Sequence, residues 1–298
     1  MMMSNGTGVM IEDRSFTLKG GRTGFLLLHG LGGTPVEMQA YAKGLNREGY
    51  SVYCPQIAGH GGTHDVLAAT YWQSWYATVT DAHERMKREC DTIIVGGLSM
   101  GAVLALHHAA QNPRDVHGVV ALAPLLNLDG WGVPWYARLF RIVRQRWTAG
   151  LFTFPETGSY GIKDERMREF VAKTVATGGA AEAARLSKPG VSMLELQRLS
   201  RIVAKEMGTI RQPILLVHPR EDDRARFRTN AVFVQERAAG YVEAIVLDDC
   251  YHCVTVDRQR DLVLAKTISF GNWLDQQRAL EAFKATPAAR PRSSDSAA

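Results

Sequence analysis

The sequence predicts an α/β protein: a mostly parallel sheet covered by helices on both faces. Three observations predict it. Short, continuous apolar runs have strand length, helix-length stretches separate them, and Gly or Pro punctuates nearly every junction.

Residues 1–20 are weakly patterned, with an edge strand near Arg14–Leu18. Gly24-Phe25-Leu26-Leu27-Leu28 is a continuous apolar run, as expected of a strand buried on both faces. It ends in the Gly-rich turn His29-Gly30-Leu31-Gly32-Gly33. Thr34 then offers a helix cap, with Pro35 at the first position and Glu37 three residues on, and the helix runs to about Arg47. Tyr50–Cys54 reads as a strand stopped by Pro55, Tyr71–Glu89 as a long helix and Thr92–Val95 as a third strand. Ala102–Gln111 is a helix ended by Asn112-Pro113, and Val116–Leu122 a fourth strand. Further on, Pro213–His218 and Val242–Leu247 read as strands, and Thr229–Ala239 and Arg260–Gln277 as helices.

Between these halves no strong strand appears. Trp131, Trp135, Tyr136, Leu139, Phe140, Trp147, Phe152 and Phe154 make an aromatic, apolar stretch broken by Gly and Pro, followed by Ala-rich helical segments. The segment is expected to be a helical cap over the sheet, rather than helices packed on its flank. The division is then a first core part over 1–124, a cap insertion over 125–207, a second core part over 208–284 and a disordered tail over 285–298.

Of the 298 residues, 46% are hydrophobic, enough for a substantial core. The net charge of +5 is mild and no dense Lys/Arg block occurs, which argues against nucleic acid. Four cysteines are too few for a disulfide framework. Cys250-Tyr251-His252-Cys253 has no second CxxC to complete a zinc site, so both cysteines are read as packing residues, with no metal expected. The N-terminus lacks a secretory signal, and no apolar run approaches the ~20 residues that span a bilayer. A soluble, cytoplasmic protein is the expectation.

Gly97-Leu98-Ser99-Met100-Gly101 matches GxSxG, with a strand directly before it and a helix directly after. A sharp strand-to-helix turn lifts Ser99 above the C-terminal edge of the sheet. The helix start supplies free N–H groups and a positive dipole end for a developing oxyanion. A serine hydroxyl needs a base. Among nine histidines, His252 fits best, in a polar loop after the last strand. His107 and His108 lie within the helix after Ser99, His29 in the Gly-rich turn, and His60 and His64 in the loop after the second strand. The acid that orients His252 should follow the strand Pro213–His218, where Glu221, Asp222 and Asp223 cluster. Asp222 is preferred and Asp223 comes second. The oxyanion donors are expected to be the amides of Leu31 and Met100. His29, Gly30, Trp131 and Trp135 are expected to contact substrate.

Over most of residues 24–277 the sequence resembles the bacterial carboxylesterase and monoacylglycerol-lipase branch of the α/β-hydrolases. The resemblance is strongest at Leu26–Gly30, Gly59-His60-Gly61, Gly97–Gly101, Arg220–Asp223, and Tyr251-His252 followed by Val256-Asp257. It implies the α/β-hydrolase fold with a helical cap, a Ser99–Asp222–His252 triad, and oxyanion donors at Leu31 and Met100. The implied reaction is hydrolysis of a carboxylic ester through an acyl-enzyme, with no cofactor. The expected partner is a small ester with an apolar acyl chain of short or medium length. The aromatic stretch Trp131–Phe154 is read as the wall of an acyl pocket in preference to a membrane contact. An acyltransferase or a thioesterase would keep the same triad, and a small-molecule receptor is a further alternative. Oligomeric state is not legible.

Overall fold

The computed structural model describes residues 2–4, 10–155, 158–173 and 187–285. Its centre is a seven-stranded sheet. In chain order the strands are β1 (Phe16–Leu18), β2 (Thr23–Leu28), β3 (Ser51–Cys54), β4 (Thr92–Leu98), β5 (Gly118–Leu122), β6 (Ile214–Pro219) and β7 (Val242–Leu247). They lie side by side as β7-β6-β5-β4-β2-β3-β1, all parallel except the antiparallel edge strand β1.

The apolar runs become central strands because both of their faces are covered. Every residue of β4, β5 and β6 is buried. Successive side chains of β2 serve opposite cores. Leu26 and Leu28 join the core shared with helices α2 (Trp72–Met86), α3 (Met100–Gln111) and α4 (Gly190–Glu206). Phe25 and Leu27 join the core under α1 (Gln39–Arg47) and the C-terminal helix α6 (Arg260–Ala285). Between β6 and β7 the expected single helix begins as a π-helical turn, Arg228–Val232, and continues as α5 (Phe233–Arg237).

The expected capping box at Thr34 does not form. Pro35–Met38 is a 3-10 turn and the Thr34 side chain makes no cap bond. The Glu37 carboxylate instead accepts from the amide of Gly30, in the turn after β2.

The segment after β5 is mixed in structure. It holds the 3-10 helix Trp135–Ile142, the turn of helix Arg146–Ala149, helical residues 165–173, and a strand pair, Thr153–Phe154 with Lys188–Pro189, that the sequence did not signal. Helix α4 packs onto the core, where Leu194, Leu196, Leu199 and Val203 join the cluster formed by α3 and the sheet. The Ala-rich part of the expected cap, 174–186, and nearly all of the expected tail lie outside the described residues. Among those described, no helix is long and apolar enough to cross a membrane.

The register lines up the C-terminal ends of the strands. Leu28 pairs with Gly97, Leu98 with Leu122, and Pro219 with Leu247. The turns after β2, β4, β6 and β7 therefore share one edge of the sheet, where open α/β folds bind ligands.

Candidate active site

Ser99 stands between the end of β4 and the start of α3 with φ 58° and ψ −113°. A left-handed φ is uncommon for a residue with a side chain and costs on the order of 1–3 kcal/mol. The surrounding backbone holds it: the Ser99 amide donates to Leu122 O (2.9 Å), and Ser99 O accepts from the amides of Val103 (3.2 Å) and Leu125 (3.4 Å). The two motif glycines allow the sharp bend. A Cβ on Gly97 would fall on the Gly101 backbone, and one on Gly101 on the Leu28 carbonyl.

His252 comes from the loop after β7 and meets Ser99, with Nε2 to Oγ at 2.8 Å. Its Nδ1 lies 3.0 and 2.9 Å from the two carboxylate oxygens of Asp222, which stands in the turn after β6. A carboxylate only accepts, so Nδ1 carries the proton and Nε2 is open to the serine hydroxyl. Asp222 is itself fixed by the amides of Arg224 and Ala225, both at 2.8 Å. Burial alone would raise the Asp222 pKa, but the His252 charge and hydrogen bond, with further help from His218 and Ala225, hold it below the usual value. Burial likewise works to lower His252, and the Asp222 charge and hydrogen bond outweigh it and raise the pKa above 6.5.

Asp223, the second choice, is buried but faces elsewhere. It accepts from the Ser159 hydroxyl and the His252 amide, and it pairs with Arg224 at 3.3 Å. Asp222 alone is therefore placed to orient the imidazole ring.

The amides of Leu31 and Met100 have no protein acceptor among the described residues. Both residues flank Ser99, one from the turn after β2 and one from the first turn of α3. Ser99 and His252 open into a cavity of about 330 Å³. Its walls are mostly apolar, with Leu125, Val133, Phe154, Ile162, Met193 and Leu196 prominent.

Of the expected substrate contacts, Gly30 lines this cavity and His29, Trp131 and Trp135 do not. His29 is fully buried beneath the turn, where its Nε2 accepts from the Ile57 amide (3.0 Å) and its Nδ1 faces the Gly30 carbonyl at 3.0 Å. An amide can only donate, so the ring is neutral with its proton on Nδ1. Burial, partly offset by the Gly30 carbonyl, lowers its pKa to about 4. His29 thus braces the Gly-rich turn against the loop after β3. Trp131 points outward with Nε1 bonded to Glu221 O, and Trp135 is 74% exposed. Their apolar character suggested a pocket wall, but the polypeptide turns both side chains away from it.

Five further histidines make contacts away from the Ser99 hydroxyl. His60 stacks edge-on between His29 and Trp75, His64 meets the Ser187 hydroxyl, His107 bonds Glu206 (2.7 Å), and His108 bonds His83 (2.9 Å). Cys250 Sγ accepts from the Gln259 amide and Cys253 Sγ donates to Tyr160 O, so both thiols serve the loop as packing residues.

Sequence reasoning gave Asp257 no role of its own. Its buried carboxylate accepts from the amides of Lys163 (2.9 Å), Asp164 (2.8 Å) and Tyr251 (2.7 Å), and from its neighbour Arg258 (2.9 Å). It ties the segment 158–164 to the His252 loop. A second tie joins the Cys253 amide to Gly161 O at 2.7 Å. The sequence singled it out only within the Val256-Asp257 match that follows Tyr251-His252 in the family resemblance.

The family model described as serine aminopeptidase, S33 (Hydrolase_4) matches residues 22–259. The chain belongs to this family. Its fold is the α/β-hydrolase fold. A thermostable monoacylglycerol lipase of Bacillus sp. (strain H-257) is 27% identical to this family member over 90% of the chain and 98% of the relative. A carboxylesterase of Bacillus subtilis (strain 168) is 26% identical over 89% of the chain and 99% of the relative. A solved structure of a metagenome-derived lipolytic enzyme superposes with a TM-score of 0.72 at 26% identity, covering 87% of this chain and 96% of the other. A soluble variant of monoglyceride lipase from Saccharomyces cerevisiae shares the fold at 16% identity and TM-score 0.73, covering 93% and 94% of the two chains.

Proposed function

We propose that the protein hydrolyses carboxylic esters with short or medium apolar acyl chains, through a covalent acyl-enzyme on Ser99. The observation that carries this reading is the hydrogen-bonded line Asp222–His252–Ser99, ending at the mouth of an apolar cavity. Two bacterial relatives are named as a monoacylglycerol lipase and a carboxylesterase, which supports ester over peptide chemistry.

His252 Nε2 takes the Ser99 proton as Oγ attacks the ester carbonyl. The oxyanion forms between the amides of Leu31 and Met100. His252 then gives the proton to the departing alkoxide, which leaves as the alcohol. Water, deprotonated by the same nitrogen, attacks the acyl carbon and releases the acid with Ser99 restored. Asp222 holds the Nδ1–H tautomer throughout and stabilises the transient imidazolium.

The acyl chain lies against Leu125, Val133, Phe154 and Met193, which come from the segment after β5 or the start of α4. We assign to residues 125–207 the role of a cap, with α4 as its foot on the core. The cavity lies at the small end of the ~300–1,000 Å³ typical of ligand sites, which favours short and medium chains.

A panel of p-nitrophenyl esters from acetate to palmitate, with aminoacyl p-nitroanilides alongside, tests the reading. The expected result is a maximum of kcat/KM at short or medium chains and much slower anilide cleavage. A maximum at palmitate would refute the chain-length assignment, and anilides turned over faster than every ester would refute ester hydrolysis. Product analysis with added alcohol distinguishes hydrolysis from acyl transfer.

A further inference from the structure

We infer that the outer face of the segment 135–152, with the arginines of α4 beside it, docks the enzyme on an anionic lipid surface. Two observations meet there. The first is apolar exposure: Trp135 is 74% exposed, Ile142 77%, Trp147 75% and Leu151 78%. Soluble proteins rarely gather large apolar side chains at the surface without a partner for them.

The second is uncompensated charge. Arg201 donates to Arg141 O (2.9 Å) and Arg198 to Arg144 O (2.8 Å), so four guanidinium-bearing residues crowd along one seam between α4 and this segment. Glu195 serves Arg146 and Arg198. Arg141, Arg144 and Arg201 have no carboxylate partner among the described residues. Burial and then repulsion from Arg144, Arg141 and Arg198 lower the Arg201 pKa, as expected where like charges meet without a counterion.

Tryptophan and aliphatic side chains projecting beside arginines match the boundary between headgroups and acyl chains. Cationic groups there attract anionic lipid, while the apolar side chains enter the interface. A soluble polyanion would satisfy the arginines and leave Trp147 and Leu151 in water, so a lipid surface fits both sets. Contact would be peripheral. Val133 and Phe154, which flank the exposed stretch in sequence, line the acyl cavity, so the segment that would dock also carries part of the cavity wall.

Vesicle flotation of the full-length protein tests this independently of its substrate. Vesicles of phosphatidylcholine alone are compared with vesicles containing one third phosphatidylglycerol, at low and at molar salt. The expected result is co-flotation with the anionic vesicles, little with the neutral ones, and weakening by salt. Two variants read the two contributions: Arg141→Glu/Arg144→Glu, and Trp147→Ser/Leu151→Ser. Each should lower partitioning by at least about tenfold while keeping wild-type turnover of a water-soluble ester, which shows that the variant is folded. Absence of wild-type binding to anionic vesicles, equal binding to neutral ones, or unaltered binding of the charge-reversed variant would each overturn the inference.

Discussion

Gly101 packs so closely under Leu28 that a Cβ on Gly101 would collide with the Leu28 carbonyl. The obstacle is backbone on both sides. β2 cannot retreat, because it is hydrogen-bonded to β4 on one side and β3 on the other. The turn that carries Ser99 and the turn that carries Leu31 are thus fixed relative to each other by a contact open only to glycine.

Gly101→Ala should therefore destabilise the fold by about 3 kcal/mol or more, at the upper end of overpacking costs. Thermal unfolding of the purified variant measures it. A melting temperature within a degree or two of wild type would show that the crossing is looser than described.

The pH profile of hydrolysis follows from the raised pKa of His252. The ring must be neutral to act as base, so kcat/KM should rise with pH through an acid limb whose midpoint lies above the ordinary 6.5. Asp222→Asn removes the charge that raises it. The limb should then move to lower pH, and the rate should fall by about 10⁴-fold as the tautomer is lost. Steady-state kinetics from pH 5 to 9 give both values.

Stability should also depend on pH. His29 has a folded pKa near 4, set by burial, against 6.5 as a free side chain. Its folded form binds fewer protons than its unfolded form between these values, so stability is complete above pH 6.5 and declines as pH falls toward 4. His29 alone contributes about 3 kcal/mol to that loss. His108, lowered to about 3 by burial and by His83 and His107, acts in the same direction. Urea denaturation at pH 7.5, 6, 5 and 4.5 should show a steady decline, and a flat profile would exclude these neutral buried rings.

Asp257→Asn should lower kcat more than it raises KM. The carboxylate holds the amides of Lys163, Asp164 and Tyr251, and hydrogen bonds to a charged group contribute about 1.5–3 kcal/mol each. An asparagine has one acceptor oxygen and would turn its own N–H groups toward these donors. The Tyr251–His252 backbone would lose its anchor, and a 10- to 100-fold loss of kcat is expected, on the order of that seen when supporting groups are removed from a site. Unchanged kcat would limit Asp257 to holding segment 158–164.

The sheet and the meeting of Ser99, Asp222 and His252 were legible in the sequence because each has a strong local signal. Continuous apolar runs marked the buried strands, and β4, GxSxG and α3 follow one another without a gap. Strand ends were less legible: β4 runs on through Gly96, Gly97 and Leu98, residues that read as a turn by composition. Asp222 and Asp223 are neighbours of one residue type, and only the turn geometry after β6 decides which carboxylate reaches the His252 ring and which its backbone amide. Trp131 and Trp135 were misplaced because apolar composition does not encode direction. Glu37 was read as a local cap, yet its partner is Gly30, seven residues back, and Asp257 bonds backbone amides more than ninety residues away. Such long-range contacts to backbone leave no pattern in side-chain identity.

The most direct measurement is the turnover of a short p-nitrophenyl ester by Ser99→Ala, with mass spectrometry of both proteins after treatment with a fluorophosphonate. The account predicts a loss of at least about 10⁴-fold in kcat, an unchanged melting temperature, and an adduct on Ser99 that is absent from the variant. A Ser99→Ala protein that retains near wild-type turnover, or is labelled as fully as wild type, would contradict it.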